Sequence, residues 1–213
     1  FDPINGKVGL KNLFTKFREE ISFVFEIGLP PKPITCIKKI LIYTREDAGQ
    51  RVIPTENLYQ IQDMITSMFP MSEITVIKSL KRLLFREQVE LFSRHDLLIN
   101  PHGSNSLNQI FMPIGAIVFE SMPSCIEISA THRTGISEAL SHHFRYIPSL
   151  ECYNRSLDKV CQYTRHNKMP KIPGKGWSSF SASKGHQRCP TVSFNIERLK
   201  YELGQRYLQS CAH

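Results

Sequence analysis

Short apolar runs separated by amphipathic stretches decide what this chain can fold into. Ile37 to Thr44 (IKKILIYT) and Glu73 to Lys78 (EITVIK) are β-branched and apolar, as strands buried on both faces of a sheet are. Between them Leu58, Ile61, Ile65 and Met68 repeat at helical spacing. Thr55 is placed to cap that helix, and Glu56 sits in its first turn, where a carboxylate complements the helix dipole. Leu83 to Arg94 predicts a second helix with Phe85, Val89 and Phe92 on its buried stripe. Asp96 to Asn100 predicts a third strand, Gly115 to Glu120 (GAIVFE) a fourth, and Phe144 to Ile147 a short fifth after a helix near Gly135 to His143. Alternation of this kind gives a parallel sheet with helices on both faces, a Rossmann-like α/β domain.

The ends of the chain are organised differently. Leu13, Phe17, Ile21 and Val24 predict an amphipathic helix that stops at Gly28, with Pro30, Pro31 and Pro33 just beyond. Past Pro148 the periodicity fades: Lys168 to Pro190 is rich in Lys, Ser, Gly and Pro and reads as a long loop, and Ile196 to Leu208 reads as a closing helix. We divide the chain into a connecting helix and Pro-rich linker (1–36), a Rossmann-like domain (37–150) and a basic extension (151–213). The 213 residues suffice for one core with an appendage. The chain begins at Phe1 without an initiator Met, which suggests a fragment or a processed chain, and no apolar run in it is long enough to span a bilayer. Any membrane anchor is therefore expected outside this stretch.

The net charge of +8 is carried by the extension: 16 basic residues face 15 acidic ones through residue 150, and 11 face 4 beyond it. A basic tail suits an acidic acceptor, a membrane surface or a polyanion, or is simply a solvated extension. No aromatic residues alternate with its cations, so a nucleic-acid partner is not indicated. The six cysteines (Cys36, Cys125, Cys152, Cys161, Cys189 and Cys211) form no C-x-x-C pair and no zinc spacing. Four of them fall in the extension, a distribution suited to disulfides in a loop-rich segment. Asn154-Arg155-Ser156 is an N-glycosylation triplet, and with the cysteines it leans towards a secretory lumen.

Leu91 to Pro113 (LFSRHDLLINPHGSNSLNQIFMP) reads as a helix end, a strand, a turn at His102 and Gly103, and a short helix entered through Ser104 or Asn105. A strand that runs through a glycine turn onto a helix N-terminus directs backbone N–H groups at an anion. The alternative is a plain tight turn with a capping Ser or Asn. Ligands of open parallel sheets bind beyond the carboxyl ends of the strands. Arg45 after the first strand, Lys78 and Ser79 after the second, His102 to Asn105 after the third and Ser121 after the fourth all fall there. A nucleotide is the natural size for such a crevice.

The same stretch carries a family resemblance. P-H-G-S-N-S-L-N-Q-I-F-M-P, from Pro101 to Pro113, resembles the P-H-G-A-G-L-T-N-x-x-F-M-P signature of glycosyltransferase family 61, which includes plant xylosyl- and arabinosyltransferases and animal O-linked N-acetylglucosaminyltransferases. Arg45 and Arg51 after a strand, Glu87-Gln88 ahead of the signature and V-F-E ending at Glu120 match in the same order. The resemblance spans Ile40 to Pro123. It implies the carboxyl-terminal domain of a two-domain GT-B enzyme that transfers a sugar, with inversion, from a nucleoside diphosphate sugar such as a UDP-sugar to a hydroxyl of a glycan or protein, in the Golgi or endoplasmic reticulum lumen, as a type II membrane protein in full-length form. The alternative is a non-catalytic module or inactive family member that binds a nucleotide or a polyanion.

On this resemblance the diphosphate falls to Arg45, Arg51, His102, Gly103, Ser104 and Asn105, and the nucleoside to Glu87, Gln88 and Glu120. The bland alternatives are solvated loop arginines, a surface helical Glu, and a Glu120 that only pairs with a neighbouring cation. No catalytic base is assigned; His102 is the candidate, with contact to phosphate or loop ranked ahead of proton abstraction. The sequence has no D-x-D metal motif, so no metal and no resident cofactor is expected, with the nucleotide sugar as co-substrate. It also lacks G-x-G-x-x-G and the P-loop pattern, which removes the main sequence support for dinucleotide enzymes and P-loop NTPases. Two positions depart from the family pattern: Asn105 stands where the family has the second glycine of H-G-A-G, and Val52, Ile53 and Pro54 follow Arg51 where an Asn is usual.

Overall fold

The computed structural model describes residues 3–29, 36–46, 51–123, 136–149 and 192–210. The Pro-rich linker, most of the basic extension, the Asn154 triplet and every cysteine but Cys36 lie outside them. Among the described residues five parallel strands form one sheet: β1 (Lys39–Tyr43), β2 (Glu73–Ile77), β3 (Leu97–Pro101), β4 (Ile117–Pro123) and β5 (His143–Ser149), in the order β2-β1-β3-β4-β5. The α/β Rossmann-like architecture read from the strand and helix alternation is the one observed. The order reverses between β1 and β3, which places a switch-point crevice beyond their carboxyl ends.

Period-two alternation splits the core across the sheet. Ile40, Ile42, Leu97, Ile99, Ile117 and Phe119 face one side, where they pack against α2 (Thr55–Met68) through Ile61, Met64 and Ile65. Leu199 and Leu203 of the closing helix α4 (Ile196–Ser210) complete that layer. Leu41, Tyr43, Leu98 and Val118 face the other side. There α3 (Phe85–Ser93) contributes Val89 and Phe92, and a 3₁₀ helix (Ser104–Phe111) contributes Ile110 and Phe111. The amino-terminal helix α1 (Pro3–Phe25) lays Phe14, Ile21 and Phe25 against this second layer.

Several local expectations shift. Thr55 is the first helical residue of α2, and Pro54, with φ of −59°, takes the cap position with no side-chain cap bond. Phe85 is 47% exposed, because it stands at the head of α3, where its ring meets Phe25 and Phe111 edge-on while Val89 and Phe92 go inward. The helix α1 stops at a left-handed Glu26 (φ 55°), with the Ile27 N–H donating to Ser22 O at 3.1 Å, so the stop precedes Gly28. Ser121 lies inside β4, which runs on to Pro123, and is fully buried.

Among the described residues, His95 and His142 are buried as part of this framework. His95 bonds Leu91 O through Nδ1 and Thr75 Oγ1 through Nε2, and burial lowers its pKa. His142 bonds Pro113 O through Nε2 at 3.0 Å, and burial, with Arg18 nearby, pushes it down to about 3. The unfolded chain takes up protons below the ordinary histidine value, about 6.5, which the fold refuses. The contribution of neutral His142 is therefore complete above that value and lost as pH falls towards about 3. Urea-unfolding midpoints are expected to fall between about pH 7 and about pH 4, and His142→Gln, which can keep a donor to Pro113 O without titrating, is expected to fall less.

Candidate functional site

The turn after β3 is seated on a row of polar side chains that the strand register assembles. Asn100 pairs with Glu120 across β3 and β4, and Glu120 pairs with Tyr146 of β5. Tyr43 stands one residue beyond the Ile42–Ile99 pair of β1 and β3. Register partners in a parallel sheet point to the same face, so Tyr43, Asn100, Glu120 and Tyr146 line one end of the layer shared with α3 and the 3₁₀ helix.

The 3₁₀ helix docks on this row through its own polar residues. Asn105 Nδ2 donates to the Tyr43 hydroxyl at 2.7 Å. Asn100 Nδ2 donates to Ser106 Oγ at 2.7 Å and to Pro101 O at 3.0 Å. Ser137 Oγ donates to Gln109 Oε1 at 3.1 Å. Arg18 of α1, buried and lowered by desolvation to about 10, donates to Ile110 O and, at 2.8 Å, to Met112 O at the far end of the same helix. Both ends of the 3₁₀ helix are thus tied by side chains from other elements, which fixes where its N-terminus points.

Arg45 meets that N-terminus from β1. Its Nη1 donates to His102 O at 2.6 Å, and a Cβ built on Gly103 would lie 2.1 Å from the same nitrogen. Only a residue without a side chain lets the guanidinium lie this close. The backbone of Gly103 is extended (φ 173°), so the requirement is for space and not for an unusual dihedral. Arg45 itself is left-handed (φ 64°), and so is Arg51 (φ 57°). Non-glycine residues held this way cost roughly 1 kcal/mol or more each and gather at functional sites. The Arg45 Nε is buried and makes no hydrogen bond among the described residues. The guanidinium therefore retains donor capacity beside a helix N-terminus, where an anion is favoured.

The remaining site residues are dispersed or engaged. His102 Nδ1 contacts Glu120 Oε1, and both side chains are buried, Glu120 completely. Glu87 accepts the Leu84 N–H at 2.7 Å at the head of α3. Gln88 donates to Leu83 O at 3.1 Å and accepts from Asn108 Nδ2 at 3.1 Å, which links α3 to the 3₁₀ helix. Ser104 is exposed at the first position of the 3₁₀ helix. Lys78 pairs with Glu46 at 3.4 Å at the surface. Ser121 donates to Ser193 O, and Ser193 N–H donates to Ser149, so residues returning from the extension rest on the carboxyl ends of β4 and β5. Among the described residues no three His, Cys, Asp or Glu side chains gather in a way that could hold a metal ion. Sequence reasoning missed Tyr43, Asn100 and Arg18; a tyrosine and an asparagine near the carboxyl ends of apolar strands were the available signal.

Residues 6–119 match the family model described as Glycosyltransferase 61, more than half of the 213 residues. The chain belongs to the glycosyltransferase 61 family. No curated protein matches it. The matched segment includes Arg45, Arg51, Glu87, Gln88 and the whole His102 to Asn105 turn, and it ends one residue before Glu120. In this family 61 member, Gly103→Ala collides only with the far end of a flexible side chain. It is expected to change folding stability by less than about 1 kcal/mol while displacing the guanidinium, read by urea unfolding and by the side-chain Nε–H NMR signal of Arg45.

Proposed function

We propose that this chain is the donor-binding part of an inverting, GT-B-type glycosyltransferase. The donor is a nucleoside diphosphate sugar, a UDP-sugar on the family resemblance, and the acceptor a hydroxyl of a glycan or protein. The observation that carries the reading is the Arg45 guanidinium laid against Gly103 at the β1–β3 switch point, with donor capacity to spare. A diphosphate there accepts forked donors from Arg45 and backbone N–H groups from the start of the 3₁₀ helix at Ser104 and Asn105. Arg51, half-buried and left-handed at the end of the same loop, is assigned a second guanidinium contact.

In the transfer, the acceptor oxygen bonds to the anomeric carbon as the bond from that carbon to the diphosphate breaks. The electron pair leaves on the diphosphate oxygen, where fixed cations and N–H dipoles stabilise the growing charge. The acceptor proton passes to a base, to which no residue of this chain is assigned. His102 is assigned to the leaving group, a role supported by the Arg45 bond to its carbonyl and the Glu120 contact to its ring. This arrangement requires no metal. Of the residues first assigned to the nucleoside, Glu87 is exposed and is kept in that role, whereas Gln88 and the fully buried Glu120 act as framework.

A lumenal location in the Golgi or endoplasmic reticulum belongs to the same proposal, supported by the family match. Among the described residues no helix is long and apolar enough to cross a membrane. Calorimetric titration with UDP tests the reading: saturable binding is expected, weakened at least about tenfold in both Arg45→Ala and Gly103→Val, as loss of a charge-assisted contact implies. A folded wild type that binds no nucleoside diphosphate would refute it. Nucleotide binding without sugar transfer by the full-length protein would favour the inactive-member reading instead.

A further inference from the structure

Glu120 is a completely buried acidic side chain within the sheet. It belongs to β4, flanked by β3 and β5, and points to the same face as Leu98 and Val118. A buried carboxylate at such a position destabilises the fold unless a partner satisfies it. One partner is His102: its Nδ1 contacts Glu120 Oε1 from the residue immediately before Gly103. The contact follows closely on the register, since Asn100 pairs with Glu120 and His102 comes one residue past the end of β3 at Pro101. The His102 N–H is anchored too, donating to Ser121 O at 2.9 Å, and its carbonyl accepts Arg45. The imidazole is thus held from its backbone N–H, its carbonyl and its ring.

Resting on the donor-site reading above, we propose that Glu120 is a positioning residue for His102. By accepting the Nδ1–H, the carboxylate fixes the tautomer and ring plane of the imidazole and makes Nε2 the ring nitrogen that addresses the departing diphosphate. Glu120 touches neither sugar nor nucleotide. It acts on the diphosphate only through His102, in the way that a carboxylate behind a histidine ligand orients that ligand. This removes Glu120 from the nucleoside contacts and gives a reason for a buried polar side chain where an apolar one would pack at lower cost.

The test uses the whole chain with UDP, inorganic pyrophosphate and uridine as separate probes. Glu120→Ala is expected to weaken UDP and pyrophosphate about tenfold and to leave uridine unchanged, because only the diphosphate meets the imidazole. Glu120→Gln keeps an oxygen acceptor for Nδ1–H and is expected to restore binding to within about threefold of wild type. Should Glu120→Ala fold poorly, Glu120→Leu refills the volume without an acceptor and serves in its place. In a His102→Ala background the same changes at Glu120 should have no further effect on pyrophosphate. Imidazole nitrogen NMR shifts report the tautomer directly, with Nδ1 protonated in wild type and the population mixed in Glu120→Leu. Wild-type binding that Glu120→Ala leaves intact, or weakens equally for uridine, overturns the inference. A wild type that binds neither UDP nor pyrophosphate overturns the donor-site reading and this inference with it, while the nitrogen shifts still show whether Glu120 sets the His102 tautomer.

Discussion

The docking of the 3₁₀ helix onto the polar row of the sheet is the constraint on which the site depends. An eight-residue 3₁₀ helix has poor hydrogen-bond geometry and little stability of its own. Here it is held by Asn105 on Tyr43, by Ser106 on Asn100, and by Arg18 at its last carbonyls. Each contact comes from a different element, so the direction of its N-terminus is set by the packing of β1, β3 and α1 together. Gly103 is the hinge between that helix and β3, and its lack of a side chain is what lets Arg45 reach the junction.

Polar anchoring of this kind has a cost that apolar anchoring lacks. Asn100, Ser106, Gln109, Ser137 and Glu120 are all buried, and each such group must find a partner or destabilise the fold by about 1 to 3 kcal/mol. Most of them are satisfied by each other, yet Asn100 Oδ1 and Gln109 Nε2 make no hydrogen bond among the described residues. Apolar residues in these places would hold the helix more cheaply but with less directional precision. A site that must aim N–H dipoles at a ligand favours the polar solution, because hydrogen bonds specify orientation where hydrophobic contact specifies only burial.

The fold was legible because it rests on local periodicity. Every strand was anticipated within about three residues, since β-branched apolar runs between polar loops have few other uses in a chain that also carries amphipathic helices. What escaped is what depends on register or on distance along the chain. The row of Tyr43, Asn100, Glu120 and Tyr146 exists only once β1, β3, β4 and β5 are aligned. Arg18 lies inside an amphipathic helix, and its two carbonyl partners lie 92 and 94 residues away. The left-handed stop at Glu26 was hidden behind the more obvious Gly28. Within the site, the convergence of Arg45 with His102 and Gly103 on one crevice followed from their shared place at strand ends. The pairing of His102 with Glu120 did not, because nothing in spacing alone distinguishes a strand-end carboxylate that faces a ligand from one that faces a neighbouring side chain.

The departure at Asn105 can be weighed physically. A glycine at this position in the family pattern suggests either a dihedral that only glycine adopts or a backbone that must be approached closely. The first does not apply to this chain: Asn105 is absent from the described non-glycine residues with positive φ, which are Glu26, Arg45, Arg51 and Ser141. Nor does the side chain fill the approach to Gly103, since it turns towards β1 and gives its amide hydrogen to Tyr43. The close approach that matters is made at Gly103, where the Arg45 guanidinium occupies the space a Cβ would take. Asn105 thus exchanges backbone freedom for a side-chain tether at the head of the 3₁₀ helix. The exchange adds a tether without calling for a positive φ at this position, so this substitution by itself gives no structural reason against the proposed donor site.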